Sequence, residues 1–127
     1  MWPFRRRSRI EVPCVRIAEV SSSTADYPVL TVGQSRLQES FKALGFHADS
    51  ADRFTMASLV PAIDTGLRTI ADIEIRVDEL VVGYLRPPAL DTAIALLESN
   101  HAATLEVPAM LVATPAGPDV RVHRSIA

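Results

Sequence analysis

The side chains with which this chain could do acid–base, nucleophilic or metal chemistry are three histidines, one cysteine and fifteen carboxylates. Their spacing argues against all three. His47, His101 and His123 are far apart, with no His-Glu-x-x-His or Cys-x-x-Cys arrangement, so no metal site is expected. His101 beside Asn100 is expected to cap the end of a helix. Asp72 and Glu74 share one face of an alternating segment, the pattern of a solvated strand face rather than of an acid/base pair. The five glycines do not cluster, so neither a phosphate-cradling loop nor a Gly-x-Ser-x-Gly elbow is present. No catalytic residue and no cofactor are expected.

Binding chemistry is better represented. Arg supplies twelve of the thirteen basic residues, and its planar fork suits bidentate phosphate contacts. Arg36, Tyr84 and Arg86 together would offer a stacking face and two cationic forks, the minimum for a single-strand platform. The same residues also admit a plainer reading, in which Tyr84 packs half-buried and both arginines are solvated. The formal net charge is −2, and Arg5, Arg6, Arg7 and Arg9 all lie in the first nine residues. Residues 10–127 therefore carry nine basic against fifteen acidic side chains, a net −6. An acidic body argues against a strong, broad DNA-coating surface, whose affinity comes from phosphate neutralisation, and leaves room for a small cleft with a few arginines.

The elements that must position these residues follow from apolar periodicity and turn chemistry. Residues 12–20 and 27–32 read as strands, separated by the polar run Ser21-Ser22-Ser23-Thr24-Ala25-Asp26. Ser35 and Gln38 have capping-box spacing, with Leu37, Phe41 and Leu44 on one helical face and Gly45 as the C-terminal cap. Residues 46–53 read as a polar loop, and residues 54–60 as a strand that Pro61 interrupts. Residues 62–69 read as irregular. Ala71, Ile73, Ile75 and Val77 then alternate with Asp72, Glu74 and Arg76, a half-buried strand. Asp78-Glu79 would turn it into a hairpin with residues 80–85, although such turns usually use Gly or Asn.

Pro87-Pro88 stops that strand and presets a helix start. Leu90, Ala93, Ile94 and Leu97 follow at helical spacing. Residues 105–114 and 120–123 complete the strands around the turn Pro115-Ala116-Gly117-Pro118-Asp119. The reading is a mostly β domain with two helices (α+β), a small OB-like barrel of six to seven strands over residues 11–127. Residues 1–10 are expected to be a flexible, solvated basic arm, with contact to nucleic acid or an anionic membrane surface as its functional reading.

No apolar run reaches the roughly 18 residues of a membrane span, and no apolar stretch follows the arginines as a signal peptide would require. A single cysteine forms no internal disulfide, compatible with a cytoplasmic location. Cys14 is expected as a small buried hydrophobe.

From Tyr27 to Arg124 the chain resembles the HIRAN domain, a small barrel fused to remodelling-type helicases and also found in small bacterial proteins. The likeness runs through Val32-Gly33-Gln34-Ser35 with Gln38, Leu59-Val60-Pro61, Val77-Asp78, Val82-Gly83-Tyr84-Leu85, the alanine-bearing helix after Pro88, and Val107-Pro108-Ala109. It implies a barrel with two helices, no catalytic centre and capture of a single-stranded DNA end. Tyr84, Arg86 and Arg36 fall at or near positions that contact nucleic acid in relatives. The family's Asn-Pro-Tyr-Asp motif is replaced around Thr65-Gly66-Leu67-Arg68, where only Arg68 could add a cation. Two partners stay open: single-stranded nucleic acid, or a protein of DNA metabolism bound by a domain that has kept the barrel without the DNA site.

Overall fold

The computed structural model describes residues 13–64, 66 and 69–127. The basic arm and, apart from Gly66, the loop at Thr65 to Arg68 lie outside the described residues. In chain order the elements are β1 (Cys14–Arg16), α1 (Gln38–Ala43), β2 (Arg53–Asp64), β3 (Thr69–Val77), β4 (Leu80–Tyr84), α2 (Ala89–Ser99), β5 (Thr104–Thr114) and β6 (Gly117–Val122). Short 3-10 turns stand at Thr24–Asp26, Gln34–Arg36 and Arg124–Ile126. The protein is mostly β with two helices. Its six strands form one sheet in the order β1-β5-β2-β3-β4, with β6 also on β5, and this ladder does not close on itself.

Hydrophobic alternation sets the inner face. Ile73, Ile75 and Val77 of β3, Leu105, Val107, Ala109 and Leu111 of β5, Ala57 and Leu59 of β2, and Val120 and Val122 of β6 form one core with Phe41, Ala93 and Leu97. The apolar face of α2 lies on this core much as its periodicity requires, with Ala89, Ala93 and Leu97 buried and Leu90 and Ile94 partly so. A smaller cluster of Tyr27, Met110 and Val112, with Phe54 against it, covers part of the opposite face.

Several segments depart from expectation for reasons the pairing makes plain. Residues 27–32 are not a full strand and touch the sheet through two single bridges, Val29 to Val122 and Val32 to Tyr84. The first strand is only three residues long, because the edge of β5 beyond Glu106 is taken by His123, which donates to the Pro108 carbonyl, and then by β6. Pro61 does not interrupt β2, which runs on to Asp64. It lies past Leu59, the last residue paired with β5, where one edge of β2 is free.

Pro108 is accommodated similarly. Its carbonyl faces His123, so its nitrogen faces the same gap between β1 and β6, where no rung is lost. Phe46, read as part of a polar loop, is buried against Phe41 with ring centroids 6.5 Å apart. The loop has to fold inward there because the helix ends in a Schellman motif. Gly45 is left-handed at φ 73°, and the Phe46 amide donates to the Phe41 carbonyl. Arg53 completes this cap through the Leu44 carbonyl at 2.8 Å.

The capping box does not form. Ser35 lies within a 3-10 turn, and the Gln38 amide instead donates to the carbonyls of Gln34 (2.7 Å) and Pro118 (3.2 Å), tying α1 to the β5–β6 turn. Cys14 is exposed rather than buried, because β1 is an edge strand that presents it outward. His101 does terminate α2, through a left-handed backbone at φ 51°, while the Asn100 side chain donates to the Leu96 carbonyl.

The hairpin turn at Asp78 and Glu79 has φ of 49° and 69°, the primed geometry that matches strand twist but strains residues carrying a Cβ. Replacing Glu79 by Gly is expected to raise unfolding stability by about 1 kcal/mol, measured by urea denaturation. A second test concerns the strap over the outer cluster. Ser21 donates to Asp26 at 2.7 Å, Arg124 donates to Asp26 at 3.2 Å, and the Tyr27 hydroxyl donates to the Ser21 carbonyl at 2.6 Å. The Ser21 hydrogen bond, then Arg124, hold the Asp26 carboxyl below its ordinary range against a desolvation that opposes them. A carboxylate depressed in the folded state stabilises at pH values above its unfolded pKa and loses that contribution as pH falls through the folded value. Stability of the native chain should therefore fall more steeply below roughly pH 4 than that of Asp26→Asn, as read from denaturation midpoints across that range.

Candidate nucleic-acid interface

Tyr84 ends β4 opposite Glu74 of β3. Its neighbours Gly83 and Leu85 are buried, so the ring of Tyr84 lies on the outward face, partly exposed. The backbone is held on its other edge by residue 32. The Val32 amide donates to the Tyr84 carbonyl at 3.1 Å, and the Tyr84 amide donates to the Val32 carbonyl at 2.9 Å. Segment 29–32 behaves as a strand that alternates between two neighbours, since the Val29 amide and carbonyl bond Val122 of β6. Thr31, buried, adds a hydrogen bond from its hydroxyl to the Val120 carbonyl at 2.9 Å. The segment thus spans the gap between β4 and β6 by one rung to each.

Two glycines permit this approach. A Cβ on Gly83 would stand 3.1 Å from Val120 Cγ1 and 3.3 Å from Thr31 Oγ1, so a side chain there would crowd the junction. Gly33 has φ of 88°, and its Cβ would stand 2.7 Å from Tyr84 Cδ2. The aromatic ring therefore lies directly on the glycine backbone. This contact fixes the orientation of the ring.

With Val29 and Thr31 turned inward, Leu30 and Val32 turn outward, 44% and 40% exposed. They join Tyr84 and Arg86 in one outward stripe, because residues 84 and 86 share a side of the chain and run antiparallel to 32 and 30. Arg36 lies in the 3-10 turn just after Gly33 and is exposed. Neither Arg36 nor Arg86 makes an ion pair or side-chain hydrogen bond among the described residues. Of the other described cations, Arg16 pairs with Glu106 and Glu19, Lys42 with Glu39, Arg76 with Glu74 and Arg124 with Asp26, while Arg53 bonds only backbone carbonyls. The carboxylate nearest in register to Tyr84, that of Glu74, accepts from Arg76 at 2.6 Å.

Beside the stripe lies an apolar groove of about 440 Å³ between Pro28–Leu30 and Arg86–Ala89. Leu30, Val32 and the groove were not singled out by sequence reasoning. The alternation within residues 27–32 held the signal, but only the pairing of both edges says which side faces out. The histidines belong to other settings: His47 in the loop after α1, His101 at the end of α2, and His123 buried with Nδ1 accepting from the Ser125 amide at 3.1 Å. Among the described residues no group of three His, Cys, Asp or Glu side chains could hold a metal ion, and no helix is long and apolar enough to cross a membrane. Arg121 stands apart on the outward face of β6 opposite Met110, with its Nε buried and without a partner among the described residues.

No family model, curated protein or solved structure matches the chain.

Gly33 is the position on which this geometry can be tested. Gly33→Ala should cost about 1–3 kcal/mol, from the left-handed backbone and from displacement of the Tyr84 ring. Urea denaturation measures the loss, and the intensity and anisotropy of tyrosine fluorescence should report the ring's release.

Proposed function

We propose that this protein is a non-catalytic nucleic-acid-binding module that holds a short single strand across Tyr84, Arg86 and Arg36. We further read the sheet, with segment 29–32 spanning its two ends, as a HIRAN-like, OB-like barrel in which that segment does the closing. The observation that carries the functional reading is the pairing of an oriented, partly exposed aromatic ring with Arg86 on the same stripe, free of any acidic partner among the described residues. A ring of this kind stacks on a base of any sequence, and a free guanidinium nearby meets the phosphate. Leu30 and Val32 extend the apolar surface on which unstacked bases can lie. The acidic body restricts the contact to this stripe, so binding should be modest and strongly dependent on salt. An exposed, unpaired Cys14 fits work in a reducing compartment such as the cytoplasm.

A second reading, a protein-assembly domain, draws on a separate feature. Ile63 is 60% exposed beside an apolar groove of about 450 Å³ bordered by Pro61, Ile70 and Leu97. Salt separates the two readings, since phosphate contacts weaken steeply with added salt and an apolar interface does not.

Fluorescence anisotropy with labelled single-stranded oligonucleotides at two salt concentrations tests the proposal. Tyr84→Ala should weaken binding by about 1–3 kcal/mol for the base it stacks. Arg86→Ala should lower the salt slope by about one. Absence of binding to every oligonucleotide at low salt would refute the reading. Binding that survives both substitutions and disappears when residues 1–9 are removed would assign the activity to the basic arm instead.

A further inference from the structure

The groove beside Arg86 exists because a ladder stops one rung short. In the antiparallel pair formed by Val32 and Tyr84, the next hydrogen-bonded rung would join Leu30 to Arg86. Alternation confirms the direction. Val29 bonds β6 and Val32 bonds β4, so the amide and carbonyl of Leu30 face the β4 side. The Leu85 amide donates to Ile73 of β3, so the amide of Arg86 faces Leu30.

That rung is not made. The Arg86 carbonyl turns to accept the Leu90 amide at 3.1 Å, starting α2, and Pro87-Pro88 carries the chain away from residue 30. The two backbones splay, and the groove of about 440 Å³ opens between them, walled by Pro28, Leu30, Pro87, Pro88 and Ala89. Among the described residues the Leu30 amide and carbonyl and the Arg86 amide make no protein hydrogen bond, and both residues are exposed where they line the groove.

We propose that this unmade rung is a base-reading subsite. One nucleobase of a strand lying on Tyr84 enters the groove, its faces against the prolines and Leu30, and its hydrogen-bonding edge completes the rung with the Leu30 amide and carbonyl and the Arg86 amide. The proposal rests on the single-strand reading given above and adds a ligand chemistry to it. The occupant is planar and apolar on its faces and carries a donor and an acceptor on one edge. Its volume is within the range of small-molecule sites. The Arg86 side chain, on the same residue, stands ready for the phosphate attached to that nucleotide.

The test must separate edge reading from stacking and from charge. A thymidine oligonucleotide is compared with one in which thymine is replaced by its non-polar isostere difluorotoluene, which keeps the shape and the stacking face but has no comparable hydrogen-bonding edge. The full chain should bind the thymine strand about three- to tenfold more tightly, the effect of one or two net hydrogen bonds. Leu30→Trp, a substitution at an exposed position that lines the groove, should abolish this preference. Backbone amide resonances of Leu30 and Arg86 should shift on adding the thymine strand and stay in place with the isostere.

Equal affinity for the two strands, or Leu30 and Arg86 amides that do not respond while Tyr84 does, would overturn the subsite and leave the single-strand platform standing. Failure of both strands to bind at low salt would overturn both.

Discussion

The structure depends on a four-residue spacer. Residues 29–32 hydrogen-bond β6 with one residue and β4 with another, and so hold together two ends of a sheet whose ladder does not itself close. Open edges in a sheet expose unpaired backbone groups. The spacer's two rungs satisfy part of each edge, while Val29 and Thr31 fill the space inside. Because its side chains alternate, the same four residues must also push Leu30 and Val32 outward. Turning Val29 and Thr31 inward therefore creates the exterior stripe on which the candidate site is built.

Close approach at this junction has a steric condition that two glycines meet. Gly83 lets β4 come up to Val120 and Thr31, and Gly33 lets the chain turn left-handed beneath the Tyr84 ring. A ring resting on backbone loses little further freedom when a base stacks on it, which is the advantage of preorganisation. Charge then decides what such a surface can hold. Among the described cations, Arg16, Lys42, Arg76 and Arg124 are engaged with carboxylates, whereas Arg36, Arg53, Arg86 and Arg121 are not. Against a net −6 over residues 10–127, the guanidinium groups of Arg36 and Arg86 supply a local attraction and not a field.

Much of the fold was legible in the chain. The alternation from Ile73 to Val77 marked β3 and its buried face, the periodicity after Pro88 marked α2, and Gly45 marked the end of α1. The misreadings share a cause. Pro61 breaks a strand only where both edges are paired, and its freedom depended on where β5 begins. Gln38 had the spacing of a local cap, but its amide is shared between the Gln34 carbonyl and a tertiary acceptor, the Pro118 carbonyl. Phe46 looked like loop and Cys14 like core, because burial at those positions follows from which neighbour arrives and not from local pattern.

What the sequence determined by itself is the set of short-range choices: apolar periods, turn residues, and the presence of Tyr84 between Gly83 and Arg86. These depend on interactions within a few residues, which propensity and patterning encode directly. What only the tertiary structure decided is that residue 32 meets residue 84, that Gly33 lies under the ring, and that the rung between Leu30 and Arg86 stays open. Those contacts join parts of the chain some fifty residues apart, and their register follows from the packing of the whole sheet around one core.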